Sequence, residues 1–150
     1  MKSLLLKAAA IFVIPTLVIM LIAQALPRDT APARVMELAP MSHMPDFVHT
    51  APAAAQHAYR VAAANHDFLT HFPCYCGCVY LGHEHNLDCY IQDVLTDGTI
   101  VYDPHASVCG ICVEITNDAA RLWEEGMEID AIHDYIVATY SARGPSTDVS

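Results

Sequence analysis

The polar and apolar positions divide the chain into four stretches. From Ala8 to Ile22 the sequence AAAIFVIPTLVIMLI carries no charged side chain, and Lys2 and Lys7 precede it. The run is short for a membrane span, which takes about 20 apolar residues, but it has the length of a secretory h-region. The AQA at 23–25 has the small-x-small form of a cleavage site. Residues 1–26 therefore read as a signal peptide, or as an N-terminal membrane anchor if uncleaved, since Ala8 to Leu26 spans when tilted. Either reading puts the remainder outside the cytoplasm, in the periplasm or on the outer face of the membrane. Residues 27–51 show no periodicity. Pro27, Pro32, Pro40 and Pro45 recur among alanines, which is the pattern of a semi-extended linker without a packed core.

A compact domain is expected over 52–142. Pro52 suits a first helical turn. Ala54, Ala58, Val61, Asn65, Phe68 and Phe72 then repeat at helical spacing, predicting a helix from about 53 to 70 that Pro73 stops. An irregular polar loop, GHEHNLDC, fills 82–89. YIQDVLTDGTIVY alternates on both sides of Asp97-Gly98 and predicts a β-hairpin, with a helix over 87–95 as the alternative. Cys109, Cys112, Val113, Thr116, Ala120 and Trp123 share one helical face, and Gly126 suits its end. A last helix over about 128–141 buries Ile129, Ile132, Ile136 and Tyr140, and residues 143–150 read as a flexible tail. The expected fold is mainly α: a small three-helix domain with a short β-hairpin and Cys-rich loops, preceded by an apolar N-terminal helix.

Charge narrows the partners. Both lysines lie in the leader, so the rest of the chain sets five arginines against all 17 carboxylates. That balance excludes a basic patch for nucleic acid and gathers cations instead.

The candidate chemistry lies in six cysteines: Cys74, Cys76, Cys78, Cys89, Cys109 and Cys112. An even count in an exported small domain is the mark of a disulfide framework. Six cysteines allow fifteen pairings. Bridging across C-x-C strains the bond geometry, and barring such pairs leaves six arrangements. Each of them pins one five-residue segment by three bonds and forbids a 109–112 bond, which makes the framework awkward. A thiol redox centre would use CGIC at a helix start, where the helix N-terminus stabilises a thiolate. No βαβ context precedes it, although a thiol–disulfide oxidoreductase is the least unlikely enzymatic activity of this sequence.

A soft-metal site uses all six sulfurs at once. In an extended segment Cys74, Cys76 and Cys78 share a face, Gly77 lets the backbone curl, and Cys109 and Cys112 share one face of a helix. Clustered thiolates select Cu(I), Zn(II) or iron–sulfur clusters. A single structural zinc takes four ligands and leaves two cysteines over, and the usual iron–sulfur spacings differ from C-x-C-x-C. Cu(I) fits best, because bridging thiolates let six sulfurs hold several ions. His83 and His105 flank the cysteines and join them as candidate ligands. The MSHM stretch, with Met41, His43 and Met44 and with Met36 upstream, has copper-binding side chains, against the alternative of methionines scattered in a linker. No carboxylate pair, nucleophile–base arrangement or phosphate loop is apparent.

PCYCGC at 73–78, with GHEHNLDC, H-x-x-x-C-G-I-C and IHDYIVATY, resembles the PCYCGC-motif (lipo)proteins of bacteria and archaea over roughly residues 70–140. The resemblance implies an exported domain with these cysteine positions and no particular activity. Many such proteins look like lipoproteins, whereas this chain lacks a lipid-attachment cysteine. The expectation is an exported metal-binding protein that stores, buffers or delivers Cu(I), with a metal ion and another exported copper protein as partners. The membrane joins them if the leader stays attached. Its rivals are a disulfide-stabilised interaction module and an oxidoreductase using the CGIC pair.

Overall fold

A computed structural model describes residues 34–147. The expected leader, its apolar helix and the first part of the proposed linker lie outside those residues, as do the last three residues. Among the described residues are five α-helices: α1 (Asp46–His49), α2 (Ala53–Ala64), α3 (His66–Leu69), α4 (Gly110–Glu124) and α5 (Ile129–Tyr140). A two-stranded antiparallel hairpin, β1 (Ile91–Val94) and β2 (Ile100–Tyr102), lies between α3 and α4. The mainly helical fold with one hairpin is the fold that the periodicities predict. None of the described helices is long and apolar enough to cross a membrane.

Composition explains the long helices. α2 reads AAAQHAYRVAAA, and alanine carries the highest helix propensity of any residue. Its buried face is Ala55, Ala58, Tyr59, Val61 and Ala62, and it packs against α4, which buries Cys112, Val113, Ile115, Thr116, Ala119, Ala120 and Leu122. α5 packs on α4 through Ile132, Ile136 and Tyr140. Phe72, Leu69, Ile115, Ile132 and Ile136 are fully buried, each contributing about 1.5–3 kcal/mol of transfer free energy. Gly126 ends α4 as expected. It takes φ 90°, and Met127 N–H reaches back to the Leu122 carbonyl at 3.0 Å, closing a Schellman turn.

The first helix is shorter than its pattern. α2 stops at Ala64, because Asn65 leaves helical geometry at φ −136°, ψ 57°. The Asn65 side-chain amide donates to the carbonyls of Val61 (2.9 Å) and Glu37 (2.8 Å). Short amide side chains compete with the helical ladder in this way.

The Glu37 contact marks a larger departure. The described part of the supposed linker is packed onto the domain. Met36 and Met44 are nearly buried and Val48 is fully buried. Met36 joins Val61 and Ala120 in a small apolar cluster bordered by Phe68 and Trp123. Ala39 exchanges hydrogen bonds with Arg60, its N–H to the Arg60 carbonyl (3.1 Å) and its carbonyl from Arg60 Nε (2.7 Å). The Arg34 guanidinium stacks 4.2 Å over the Trp123 ring. Pro40 and Pro45 precede single helical turns instead of holding the chain off. Met36 and Met44 are thus gap-filling core residues. His43 is exposed, whereas Met44 belongs to the main core cluster.

The hairpin returns the chain to its starting point. Asp103 N–H donates to the Tyr90 carbonyl at 2.8 Å, so the residues just before β1 and just after β2 lie side by side. Register shifts by one residue between the Ile91–Tyr102 and Asp93–Val101 pairs. Asp97-Gly98 forms the second half of the turn, with Gly98 N–H on the Leu95 carbonyl at 2.8 Å.

The expected flexible tail is ordered through Thr147. Thr147 is almost fully buried, its N–H donates to the Cys74 carbonyl (3.0 Å), and its hydroxyl accepts from the Cys74 N–H (2.8 Å). Gly144 lies against Tyr75, where a Cβ would stand 2.5 Å from the Tyr75 carbonyl oxygen. Its backbone is extended, so the constraint is steric. Gly144→Ala is expected to lift the tail and lower stability by about 1–3 kcal/mol, as overpacking does, measured by thermal denaturation of the reduced protein.

Candidate metal centre

The PCYCGC segment makes its own bend. Residues 73–75 belong to no helix or strand and Cys76 begins a bend, with the Cys74 and Cys76 sulfurs 3.4 Å apart. Gly77 then takes φ 86°, a left-handed conformation that favours glycine, and opens the 3₁₀ turn Cys78–Leu81. That turn swings the Cys78 sulfur to within 3.7 Å of Cys89 Sγ. The curl at Gly77 is the one the sequence predicts, and the sulfurs of Cys74, Cys76 and Cys78 converge to within 4.8 Å of one another.

α4 completes the centre. Cys109 is its N-cap and Cys112 lies in its first turn. Cys112 Sγ is 3.6 Å from Cys74 Sγ and 3.5 Å from Cys76 Sγ. Sulfurs from distant segments therefore meet in one pocket, as the metal reading requires. All six cysteines are free thiols, with Cys74, Cys78, Cys89 and Cys112 buried and Cys76 and Cys109 half-buried.

Both candidate histidines arrive with them. His105 follows the hairpin, held by its own N–H on Asp103 Oδ1 (2.7 Å), and its Nε2 is 3.4 Å from Cys76 Sγ. His83 Nδ1 is 3.6 Å from Cys89 Sγ, and the two rings stand edge to face with centroids 5.6 Å apart. Two groups of four have ligand atoms all within 4.8 Å of one another: Cys74, Cys76, Cys78 and Cys89, and Cys76, Cys89, Cys112 and His105. This cluster is close enough to hold a metal ion. Cys109 and His83 belong to neither group and lie at its border. His83 opens onto a surface cleft of about 530 Å³ that Glu84, Asp88 and Asp103 also line.

Crowding decides where the charge sits. Six thiols this close cannot all ionise, because like charges at such distances repel strongly. A hydrogen bond from Cys112 holds the Cys74 thiol down at about 4, and hydrogen bonds from Cys109, Cys112, Cys74 and Cys78 hold Cys76 lower still. The donors pay in the opposite sense. Cys112 is pushed up by Cys109, Cys74 and Cys76, Cys78 by Cys74 and Cys76, and Cys89 by Cys112 and the motif cysteines. At Cys109 the Cys112 contact works to lower the thiol, but Cys76 and burial carry it upward. The two lowered thiols, Cys74 and Cys76, stand at the edge shared by the motif and α4.

A buried polar chain that the sequence did not reveal supports the centre from below. Asn86 Nδ2 donates to Thr116 Oγ1 (2.6 Å), Thr116 to Tyr90 Oη (2.8 Å), and Tyr90 to the Cys112 carbonyl (2.8 Å). Asn86 N–H also donates to the Phe72 carbonyl (2.8 Å). The loop, the hairpin entrance and α4 are thereby tied together at the ligands. Thr116 was legible as a helix-face residue, but nothing local marked Tyr90, Asn86 or Thr147.

A family model described as a protein of unknown function with PCYCGC motif matches residues 31–148. The chain belongs to this family. The match is wider than the segment of resemblance seen in the sequence, and it takes in both the N-terminal strap that packs on α2 and the tail that covers Cys74. No curated protein and no solved structure matches the chain.

Two predictions follow from this PCYCGC centre. Tyr90→Phe leaves Thr116 and the Cys112 carbonyl short of a buried partner and should cost about 1–3 kcal/mol in chemical denaturation. The second concerns the loop that carries His83 and Cys89. Asp88 Oδ2 accepts from the backbone of Glu84 (2.7 Å) and His85 (3.2 Å), while Oδ1 lies 3.0 Å from His85 Nδ1. Burial works against the Asp88 charge, but the bonds from His85 and the two amides keep its pKa lowered. The Asp88 bond raises that of His85. The lowered carboxyl stabilises above its unfolded pKa and loses this as pH falls through its folded value. The raised imidazole stabilises below its unfolded pKa and loses this as pH rises through its folded value. The pair's contribution should therefore be full between about pH 4 and 6.5 and fade on both sides, and Asp88→Asn should flatten that profile in urea melts.

Proposed function

We propose that this is an exported Cu(I)-binding protein that stores, buffers or delivers the ion through its thiolate cluster. The observation that carries the reading is the triangle of Cys74, Cys76 and Cys112, with edges of 3.4, 3.5 and 3.6 Å, joining the PCYCGC turn to the CGIC helix. Sulfurs about 2.3 Å from a tetrahedral ion stand about 3.8 Å from one another, so the Cys74–Cys76 and Cys76–Cys112 edges each need to spread by only a few tenths of an ångström. Five thiols and one imidazole in two overlapping groups form a soft donor set, of the kind that favours Cu(I) over hard cations. Loading expels the protons held on Cys78, Cys89 and Cys112, so uptake is favoured by rising pH.

Binding is favoured over turnover. A thiol oxidoreductase needs an activated, accessible thiolate at the first cysteine of its C-x-x-C. Here the Cys109 thiol is pushed up, and the lowered thiols belong to the other segment. Export rests on the apolar leader and cleavage pattern of residues 1–26. The acidic balance of the chain suits the approach of a cation.

The disulfide reading keeps one specific support. Cys78 faces Cys89 at 3.7 Å and Cys74 faces Cys112 at 3.6 Å, which leaves Cys76 beside Cys109. That is one of the six arrangements compatible with an unstrained C-x-C. Anaerobic purification followed by native mass spectrometry separates the readings. Bound copper supports the proposal; a metal-free chain lighter by six hydrogens supports the disulfide module. Cys112→Ser should weaken Cu(I) at least as much as loss of an outer-sphere partner does, about 10–100-fold in chelator competition.

A further inference from the structure

We infer that the centre is dinuclear, with two soft d10 cations sharing the sulfurs of Cys76 and Cys89. The inference rests on the metal-binding reading above and adds to it the number of ions and the division of ligands between them. One ion takes Cys74, Cys76, Cys78 and Cys89; the other takes Cys76, Cys89, Cys112 and His105, and every ligand atom within each group lies within 4.8 Å of the rest. Cys76 and Cys89 are the residues common to both.

The sharing follows from where the chain puts its donors. Two separate four-coordinate ions would need eight ligands, and the six cysteines with His83 and His105 amount to that number. Their positions do not allow such a partition. Cys76 Sγ touches Cys74 Sγ (3.4 Å), Cys112 Sγ (3.5 Å) and His105 Nε2 (3.4 Å), so it stands between the two groups. A thiolate has lone pairs enough to bridge two metals, whereas an imidazole nitrogen does not, which makes His105 a terminal ligand. A single ion explains less of the site. In the first group it leaves Cys112, fully buried, as a spare thiol; in the second it strands Cys74 and Cys78, both buried. A second soft cation gives these otherwise unused buried sulfurs ligand roles.

The supports are divided the same way. Cys78 depends on the Gly77 turn, and Cys112 on α4 and the Tyr90 hydroxyl. Each terminal ligand can therefore be removed without dismantling the scaffold of the other ion.

The test uses the full reduced chain, loaded without oxygen. Native mass spectrometry with Cu(I) should saturate at two ions. Cys78→Ser should retain one, Cys112→Ser or His105→Ala should retain the other, and Cys76→Ser or Cys89→Ser should abolish the two-ion species. Because a variant can misfold, the wild-type protein is also loaded with 113Cd(II). Two 113Cd resonances are expected, each correlated to β-protons of both Cys76 and Cys89. Saturation at one ion, growth past two into a larger cluster, or two resonances without a common cysteine would overturn the dinuclear arrangement. One bound ion leaves the copper reading standing. A chain that takes up no Cu(I) at all overturns both.

Discussion

Near-contact among thiol sulfurs is the constraint around which this fold is arranged. Sulfurs separated by 3.4–3.7 Å are as close as unbonded atoms of that size can stand, and several are fully buried. Holding them there demands that a turn, a loop and a helix be fixed to one another with little tolerance. The surrounding polar contacts serve that requirement. Thr147 grips the backbone of Cys74 on both sides, Asp88 ties the loop before Cys89, Asp103 closes the hairpin and seats His105, and Tyr90 reaches the carbonyl of Cys112.

The apolar core supports this without depending on it. Tyr59 and Tyr90 meet edge to face at 5.0 Å, and Phe47 and Tyr102 add further rings around Tyr59. The Tyr59 hydroxyl donates to the Asp103 carbonyl at 2.6 Å, so the same aromatic cluster braces the strand that leads to His105. Asp118 accepts from both Tyr135 and Tyr140, which fastens α5 to α4 behind the ligands. Bound metal would add to a scaffold already packed, stabilising it by mass action.

Much of this was legible from residue order alone, and the failures share a cause. The spacing of Ile132, Ile136 and Tyr140, the glycine after α4 and the Asp-Gly of the hairpin are local signals, and local signals survive folding. Cys74, Cys76, Cys89, Cys112 and His105 were recognisable as candidate ligands because their chemistry is uncommon. Their division between two groups was not, since it depends on a turn at Gly77 and a register that only the folded chain defines. Asn65 passed for a helix-face residue because its competing hydrogen bond goes to Glu37, far away in sequence. Met36, Met44 and Val48 sit in a strap without period, where burial comes from what the strap lies upon. Pattern reading has no access to such contacts.

The clasp at Thr147 also has a bearing on how the protein is made. The threonine stands 73 positions after the cysteine whose backbone it holds. While the polypeptide is still emerging, the motif is already present and the clasp on its backbone is not. The motif thus gains its full set of backbone hydrogen bonds only once Thr147 has been made.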